Sequence, residues 1–424
     1  MNTGRNTPTY GIVLSLLVIL SLSLGPAIAN GFARFAYALL LPSMRDAFGW
    51  SYSTAGSLNT ANGIDYILGA LAVFFVVGRL GNRRLYIAGI VLTSLSLVAT
   101  GFCNSLPALM FWRFVAGVVG AAVFICGSAL VSAQGALHPR VRPFAISGYF
   151  GGAGIGMLLS GIGIPVVLEW QGQGAWSEAW VAMGALALVF SLFSVAAALN
   201  SHDPSGASVA GRWNWRDFSL GVLAYFVYGG GYITYMTFII AWMRSHQAGV
   251  LQIAGFWGLL GLAVMASPYV WKTRLARNRG GNSLGLVCAV LAVAAFLPYV
   301  DASSPTMTVS ALLFGVSMFI GPAAITVMVR NGSPQGAWGA GIAAFTTAFT
   351  TAFGIGQAAG PVFSGWLGDL TGSLSLPIAS SAAILAAASA IAYLQKDVRW
   401  AEPARANAAS GQPTMATHPS EEAA

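Results

Sequence analysis

Long apolar runs are the feature of this sequence that most limits its fold. A helix needs about 20 mostly apolar residues to cross the hydrocarbon core of a bilayer, and the chain holds roughly twelve such runs. The runs are continuous and do not alternate in hydrophobicity, which excludes a transmembrane β-barrel. The sequence therefore predicts an all-α membrane protein with twelve transmembrane helices. They fall near residues 11–40, 54–77, 85–103, 107–133, 143–168, 176–199, 217–242, 250–271, 283–300, 305–329, 340–363 and 374–395.

The composition excludes several other classes of protein. Only 8% of the 424 residues are charged and the mean hydropathy is +0.72, whereas a soluble domain carries about 25% charged residues. A soluble enzyme, a disordered chain and a nucleic-acid-binding protein are therefore excluded. No metal-ligand spacing, phosphate-binding loop or nucleophile–base pattern occurs. We expect neither enzymatic activity nor a cofactor, and no metal site.

The distribution of the basic residues predicts the orientation. If the N-terminus is cytoplasmic, 16 of the 20 Lys+Arg fall in cytoplasmic segments and two in external loops. This split follows the positive-inside rule and predicts a multi-pass protein of the bacterial inner membrane with both termini in the cytoplasm. The first run, with Ala27-Ile28-Ala29 after it, also resembles a signal peptide. An uncleaved first helix is favoured, because hydrophobicity resumes at once.

The chain divides into two related halves. The longest polar stretch between runs is 200–216, and it separates an N-terminal bundle at 1–199 from a C-terminal bundle at 217–396. Residues 397–424 are expected to form a disordered tail. Gly31 and Gly230 each precede a Met-Arg pair by 13 residues. Such internal repeats are typical of secondary transporters, which bind their substrate between the halves.

Several motifs resemble those of the major facilitator superfamily. The loop after the second run contains Arg79, Gly81, Arg83 and Arg84 at the positions of the superfamily's signature loop, although Phe74 and Gly78 replace its leading Gly and its Asp. The fourth run has Arg113 followed by Gly117 and Gly120, and the fifth has Gly148, Gly152, Gly156 and Ser160. The resemblance implies two pseudo-symmetric six-helix bundles that transport by alternating access.

The segment Gly31–Asn62 resembles one branch of this superfamily, the YbfB/YjiJ branch. It reads Gly31-Phe-Ala-Arg34-Phe-Ala-Tyr37, followed by Pro42-Ser-Met and Trp50-Ser-Tyr. The branch implies a bacterial inner-membrane transporter that usually works as a monomer, but it names no substrate. Asp65 departs from the branch, which usually has a small residue there.

Three ionisable residues lie inside apolar runs, namely Arg34, Asp65 and Arg113. A charge at the bilayer centre costs at least about 2.5–3.5 kcal/mol, so such residues are candidates for a functional site. At a rise of about 1.5 Å per residue, all three are expected to meet in the outer half of the N-terminal bundle. Asp65 is a candidate proton carrier that pairs with Arg34, and a proton or the substrate is expected to compete for this ion pair. The alternative is a static Asp65–Arg34 pair that only joins helices. For Arg113 the alternative is hydrogen bonding to backbone carbonyls.

Other polar residues share faces with these charges or lie in the second half. The predicted substrate and proton pathway also includes Asn30, Asn62, Tyr66, Tyr228, Tyr232 and Gln357. The run Gly229-Gly230-Gly231 suggests a hinge in the seventh helix. The signature-loop residues Arg79, Gly81, Arg83 and Arg84, with Gly152 and Gly156, are candidates for a latch or gate. The glycines of the fifth run have tight helix packing as their alternative role.

The predicted activity is proton-coupled transport of a small molecule across the lipid bilayer. Two Arg against one Asp favour a small organic anion as substrate, because Arg binds carboxylates in a bidentate manner. A proton-driven antiporter that exports drugs or metabolites is the first alternative. A non-transporting receptor or scaffold of the same fold is the second.

Overall fold

The fold is helical throughout the part of the chain that the structure describes. The structure is a computed structural model and describes residues 8–137, 142–201, 203, 218–276, 280–332 and 338–397. Its helices are α1 (Pro8–Pro26), a π-helix (Ala27–Phe35), α2 (Tyr37–Phe48), α3 (Tyr52–Gly101), α4 (Leu106–Leu137), α5 (Arg142–Gln171), α6 (Trp176–Leu199), α7 (Ser219–Ser245), α8 (Val250–Ala276), α9 (Asn282–Val300), α10 (Ser304–Met318), α11 (Ile320–Gly332), α12 (Trp338–Thr371) and α13 (Ser375–Leu394).

These helices are long enough to cross a membrane many times. Among the described residues, ten helical segments have the length and apolar composition of a membrane span. α3, with 50 residues, is about 75 Å long, more than twice the thickness of a hydrocarbon core. Its backbone breaks at Gly81, where φ is 78° and ψ is 160°, so it crosses twice. α12, with 34 residues, is long enough for a further crossing. The all-α membrane fold is confirmed.

The turns define two sides of the molecule. The second crossing of α3 and the crossing of α12 add two to the ten segments, so the number of crossings is even. The start of α1 and the end of α13 therefore lie on one side, which we call the termini side. The kink at Gly81 lies there too. On the other side, the far side, Gly49, Gly172 and Gly372 end helices with positive φ angles between 64° and 92°. Glycine has no Cβ to clash in this conformation, so it is the preferred residue at such helix ends.

The first span is not a regular α-helix, because Pro26 interrupts it. Proline has no backbone N–H to donate to the ladder of hydrogen bonds. The residues after it form the π-helix, and at its end the Ala36 N–H donates to the Gly31 carbonyl five residues back, at 3.0 Å. Ala27 and Ile28, where a cleavage site was the alternative, are fully buried inside this span.

The helices form two bundles that meet along three contacts. In the first bundle α3 packs on α4 and α6, and α1 packs on α5; in the second, α7 packs on α12 and α13, and α8 packs on α10. The bundles touch where α3 meets α12, α5 meets α8 and α2 meets α7. The predicted boundaries at 200–216 and 397–424 lie almost entirely outside the described residues and stay predictions.

Small residues let the helices approach closely. The predicted glycine ridge of α5 lies against the first span, where Gly152 faces the Ser23 carbonyl and Gly156 faces Gly31. On another face of α5, Gly154 meets Gly261 of α8 across the bundle interface. Apolar burial gives no net drive between helices in lipid, so close van der Waals contact must hold them together. Gly152 and Gly156 therefore sit in packing contacts; their part in gating stays a prediction.

Replacing Gly156 by alanine should destabilise the protein by about 1–3 kcal/mol, the usual cost of overpacking. The added Cβ would lie 2.9 Å from the Gly31 Cα and would strike the Ala27 carbonyl. Gly163→Ala on the same helix is the matched control, because nothing lies within 4 Å of its added Cβ. Thermal unfolding in detergent should show a lower melting temperature for Gly156→Ala alone. Equal melting temperatures for the two variants would contradict this account of the packing.

Candidate substrate and proton pathway

Arg34 lies on the π-helix and reaches across to the other bundle. Its side chain is buried, and its Nη2 donates a hydrogen bond to the Gln357 Oε1 of α12. Its guanidinium carbon also lies 5.4 Å from the centre of the Tyr66 ring, within the range of a cation–π contact. Arg34 therefore joins the two bundles by a hydrogen bond between side chains.

Asp65 is fully buried on α3 and has no hydrogen-bond partner for its carboxylate. Its exposure is 0%, and neither Oδ1 nor Oδ2 has a partner within the described part of the chain. The carboxylate rests on Gly117 of α4, where any added Cβ would strike it. Arg34 and Arg113 are both within electrostatic reach of it. The structure thus places Asp65 near both predicted arginines, and the role of the three residues stays a prediction.

The expected Asp65–Arg34 ion pair is not formed in this conformation. Within the described ranges, the pair of opposite charges that comes within ion-pair distance is Arg45–Asp46, at 3.2 Å. Arg34 gives its hydrogen bond to Gln357, and Arg113 gives one to a backbone oxygen. Both basic groups near Asp65 are therefore bound elsewhere.

Arg113 is held by a backbone carbonyl and by two rings. Its Nη1 donates to the Ala33 carbonyl, close to the end of the π-helix. Its guanidinium carbon lies 5.0 Å from the centre of the Tyr37 ring and 5.4 Å from that of Trp180. This is the carbonyl-bonded arrangement that the sequence analysis left open as the alternative for Arg113.

A small cavity joins part of the predicted pathway. Its volume is about 10 Å³, close to the minimum that holds one water molecule. The predicted residues Asn30, Arg34 and Tyr66 line it together with Ala29, Gly117 and Gly120. The side chain of Asn62, another predicted member, lies outside the described residues.

The predicted tyrosines of the second bundle belong to an aromatic stack. Tyr228 stacks on Tyr232 with ring centres 5.6 Å apart, and both stack on Phe353 of α12. The Tyr228 hydroxyl donates to the Met318 carbonyl at 2.5 Å. Tyr232 also meets Phe35 of the π-helix edge to face, at 6.3 Å. The stack thus borders the first bundle one residue away from Arg34.

The seventh helix is not unwound at its three glycines in this conformation, and the hinge stays a prediction. α7 runs unbroken from Ser219 to Ser245, through all three glycines. Gly229 lies against the Phe353 carbonyl of α12, and Gly231 against Leu385 of α13. The glycines serve close packing here, and the irregular segment is instead the π-helix of the first span.

The predicted latch loop contacts the end of its own bundle. Asp203, after α6, accepts hydrogen bonds from the backbone N–H groups of Asn82 and Arg83, at 3.2 and 3.1 Å. The Arg83 Nη2 donates to the Ser201 carbonyl, while Arg79 and Arg84 are exposed. Gly81 makes room for Asp203 with its positive φ. Asp203 thus puts a carboxylate at the loop, where the superfamily's Asp is replaced by Gly78.

A set of hydrogen bonds closes the far side between the bundles. Asn59 Nδ2 donates to Thr237 Oγ1 at 2.6 Å, and Thr60 Oγ1 donates to the Ala358 carbonyl at 2.8 Å. Nearer the surface, the Asp369 carboxylate of α12 accepts hydrogen bonds from the backbone N–H groups of Tyr52 and Ser53, at 2.7 and 2.9 Å. The Ser53 hydroxyl donates to the same carboxylate.

Asp369 therefore caps the N-terminus of a helix in the opposite bundle. A carboxylate there satisfies free N–H groups and complements the helix dipole. We call these contacts of Asp369 with Tyr52 and Ser53 the far-side cap. In the sequence, Asp369 is an acidic residue between the eleventh and twelfth apolar runs, 317 residues after Tyr52. Nothing local in sequence reveals a cap whose two halves lie more than 300 residues apart.

Comparison with known proteins agrees with this architecture. A family model described as "Uncharacterised MFS-type transporter YbfB" matches residues 26–393. Two crystal structures of a bacterial homologue of the human lysosomal transporter Spinster, both inward-facing, are similar at 15% identity. The unoccupied one has a TM-score of 0.65 and covers 92% of this chain and 98% of that chain. The occupied one has a TM-score of 0.67 and covers 94% and 100%.

A point mutant of the nucleoside transporter NupG is also similar, at 12% identity and a TM-score of 0.65, covering 90% of this chain and 98% of that chain. These structural similarities establish the major facilitator fold. The chain itself belongs to the YbfB-type family of major facilitator transporters. It is therefore a multi-pass secondary transporter and not an enzyme, as predicted.

The far-side cap yields a prediction about opening. Asp369→Asn removes the charge that complements the α3 N-terminus, so the far side should open more often. Nitroxide labels can be attached at Asn104 and Gly249, which are both exposed on the far side. Double electron–electron resonance should show a larger population of long distances between the labels in Asp369→Asn than in the wild type.

The matched control is Asp301→Asn. Hydrogen bonds from the Ser303 and Thr306 side chains hold the pKa of the exposed Asp301 carboxyl below its usual value. Asp301 caps α10 within one bundle, so its loss should leave the distances unchanged. Equal distance distributions for wild type and Asp369→Asn would show that the cap does not keep the far side closed.

Proposed function

We propose that this chain carries a small organic anion across the membrane together with a proton, by alternating access. The observation that supports this most strongly is Asp65, a fully buried carboxylate whose two oxygens have no hydrogen-bond partner among the described residues. A buried charge without a partner is so unfavourable that the group takes its neutral form instead. Asp65 therefore holds a proton in the conformation described here.

The Arg34–Gln357 hydrogen bond links this proton to the movement of the bundles. Arg34 belongs to the first bundle and Gln357 to the second, so the bond exists only while the far side is closed. When the bundles separate there, Arg34 loses Gln357 and its nearest acceptor becomes Asp65 or a bound anion. A guanidinium beside Asp65 favours the charged carboxylate, whereas a bound anion occupies the guanidinium and leaves Asp65 protonated. With the far side open, the proton is therefore kept only when the anion is bound.

Arg34 and Arg113 also support the choice of an anion. Together with Asp65 they carry one net positive charge when Asp65 is ionised, and two when it is protonated. Nε of both arginines and Nη2 of Arg113 have no hydrogen-bond partner within the described part of the chain. A carboxylate substrate offers two oxygens to such a planar group. Protonation of Asp65 thus raises the positive charge that attracts the anion, which couples the two.

The membrane and its orientation complete the proposal. The protein lies in the bacterial inner membrane as a monomer, with the termini side facing the cytoplasm. Sixteen of the 20 basic residues on the cytoplasmic side support this orientation. The conformation described is then closed toward the periplasm by the far-side cap.

An exporter of aromatic cations is the second candidate. The stack of Tyr225, Tyr228, Tyr232 and Phe353 beside Phe35 favours it, because aromatic faces attract cations. In that case proton flux would follow the addition of a cationic drug and not of an acid.

The proton role of Asp65 can be tested in proteoliposomes with a pH-sensitive dye inside. A panel of small organic acids and cationic drugs is added, and an acid should evoke proton influx in the wild type. Asp65→Asn should abolish this flux, because the amide carries no exchangeable charge. Glu169→Gln, which changes an exposed carboxylate, is the control and should transport normally. Flux that persists in Asp65→Asn would refute the proton role of Asp65.

The anion role of Arg34 predicts a specific kinetic change. Arg34→Lys keeps the charge but loses the planar pair of donors, so the KM for the acid should rise about 10-fold or more. The substitution Arg274→Lys, at an exposed residue on the termini side, should leave the KM unchanged. The measurement is concentration-dependent uptake of the acid that evokes flux. An unchanged KM in Arg34→Lys would remove Arg34 from the binding site.

A further inference from the structure

A second cavity lies on the far side, entirely within the second bundle. It opens between the end of α7 and the beginnings of α8 and α10 and has a volume of about 370 Å³. Pockets that bind small molecules usually measure about 300–1,000 Å³. It shares no lining residue with the small cavity at Arg34. Its chemistry is therefore separate from the proposed transport site.

The walls of this cavity favour a neutral ring. Trp242, Phe256 and Met307 give it aromatic and thioether surfaces, which pack well on planar molecules. Five of its 13 lining residues have polar side chains: His246, Gln247, Gln252, Ser304 and Thr308. None of the described residues that line it is an acid, a lysine or an arginine. A fully charged ligand would find no counter-charge there.

His246 offers an acceptor to such a ligand. Its Nδ1 lies 2.9 Å from the Trp242 carbonyl oxygen, which only accepts, so Nδ1 carries the hydrogen. In the neutral imidazole this leaves Nε2 as an acceptor, and Nε2 has no partner among the described residues. The imidazole is held in place by stacking on Trp242, with ring centres 4.0 Å apart.

Gln247 supplies an independent observation. It ends α7 in the left-handed conformation, with φ at 61°, and is the non-glycine residue with positive φ in the described part of the chain. The Ala248 N–H donates to the Met243 carbonyl at 3.0 Å, a hydrogen-bond pattern that normally uses glycine. A glutamine is costly in this position, yet its side chain lines the cavity.

In the first half of the chain, the helix end that corresponds to His246–Ala248 is filled by aromatic side chains. The corresponding helix end is Phe48-Gly49-Trp50, where Gly49 has φ 64° and the Trp50 N–H donates to the Arg45 carbonyl. There the Phe48 ring stacks on Trp50 at 4.6 Å and contacts Trp176 at 5.2 Å. In the second half, His246, Gln247 and Ala248 take the places of Phe48, Gly49 and Trp50, and a cavity lies there.

We propose that this far-side cavity binds a neutral molecule with an aromatic ring and hydroxyl donors. The ring packs on Trp242 and Phe256, and a hydroxyl donates to His246 Nε2 or to the Gln247 side-chain oxygen. The ligand enters from the far side while the bundle interface is closed there. This site and its ligand are independent of the substrate proposed for Arg34.

The test uses three probes that share one ring and differ in charge. Tyrosol is neutral, 4-hydroxyphenylacetate is an anion and tyramine is a cation. Binding to the purified full chain in nanodiscs is measured by isothermal titration calorimetry. We expect tyrosol to bind at least about tenfold more tightly than 1-octanol, which offers an alkyl chain and a single hydroxyl. Neither charged analogue should compete with bound tyrosol.

Two substitutions copy the first half of the chain. Ala248→Trp fills the cavity as Trp50 does, and His246→Phe keeps the stack but removes the acceptor; each should weaken tyrosol binding about tenfold or more. Leu251→Trp, which adds the same ring at a residue that is 86% exposed and outside the lining, should bind normally. Gln247→Gly should raise the melting temperature while weakening binding, which no merely structural role of Gln247 predicts.

Three outcomes would overturn the proposal. The first is no binding of tyrosol to the wild type. The second is equal binding to the wild type, Ala248→Trp and His246→Phe. The third is octanol binding as tightly as tyrosol, which would mean that lipid chains fill the cavity. None of these outcomes bears on the proton flux assigned to Asp65, so the two proposals fail or stand separately.

Discussion

The cost of placing a charge in hydrocarbon governs the centre of this protein. Arg34, Asp65 and Arg113 are all buried, and each must be satisfied by protein because lipid offers no partner. Arg113 is satisfied within its own bundle, by a carbonyl and two rings. Among the described residues, Arg34 donates its hydrogen bond to a residue of the other bundle and lies over the Tyr66 ring of its own. The Asp65 carboxylate has no hydrogen-bond partner in the described part of the chain, and both arginines are within electrostatic reach of it.

Close packing makes this arrangement possible. Gly117 leaves room for the Asp65 carboxylate, and the π-helix carries Arg34 and the Ala33 carbonyl that holds Arg113. Irregular helical turns of this kind are common at functional sites, because they place groups where a regular helix does not. The same span crosses the membrane and contacts both bundles through α2 and the π-helix. A change in the hydrogen-bond partners of this span therefore alters contacts at the bundle interface.

Much of this could be predicted from the sequence, and the limit has a physical basis. Apolar run length gives the crossings, and the spacing of Arg34, Asp65 and Arg113 gives their common depth. The partners were not predictable, because hydrophobic periodicity fixes which face of a helix is buried but not its rotation against a distant neighbour. Pro26 re-registers the first span, so the direction of Arg34 differs from that in a regular helix. The cap between Asp369 and Tyr52 depends on the same tertiary arrangement.

The two halves of the chain also differ in ways that their repeat hides. The bundle with the membrane charges has a packed aromatic far side at Phe48 and Trp50, whereas the bundle with the aromatic stack has an open one at His246 and Ala248. Pseudo-symmetry thus gives two similar scaffolds with different contents. The first holds the buried charges Arg34, Asp65 and Arg113, and the second holds the aromatic stack and the far-side cavity.

We propose that Asp65 is neutral while Arg34 is bound to Gln357. Infrared difference spectroscopy on the wild type and Asp65→Asn tests this directly. At neutral pH we expect a protonated carboxyl band in the wild type that is absent from Asp65→Asn. We also expect that band to be lost in Gln357→Leu, which frees Arg34. A wild-type spectrum without the band would show that Asp65 is charged, and a band that persists in Gln357→Leu would show that Arg34 does not control its proton.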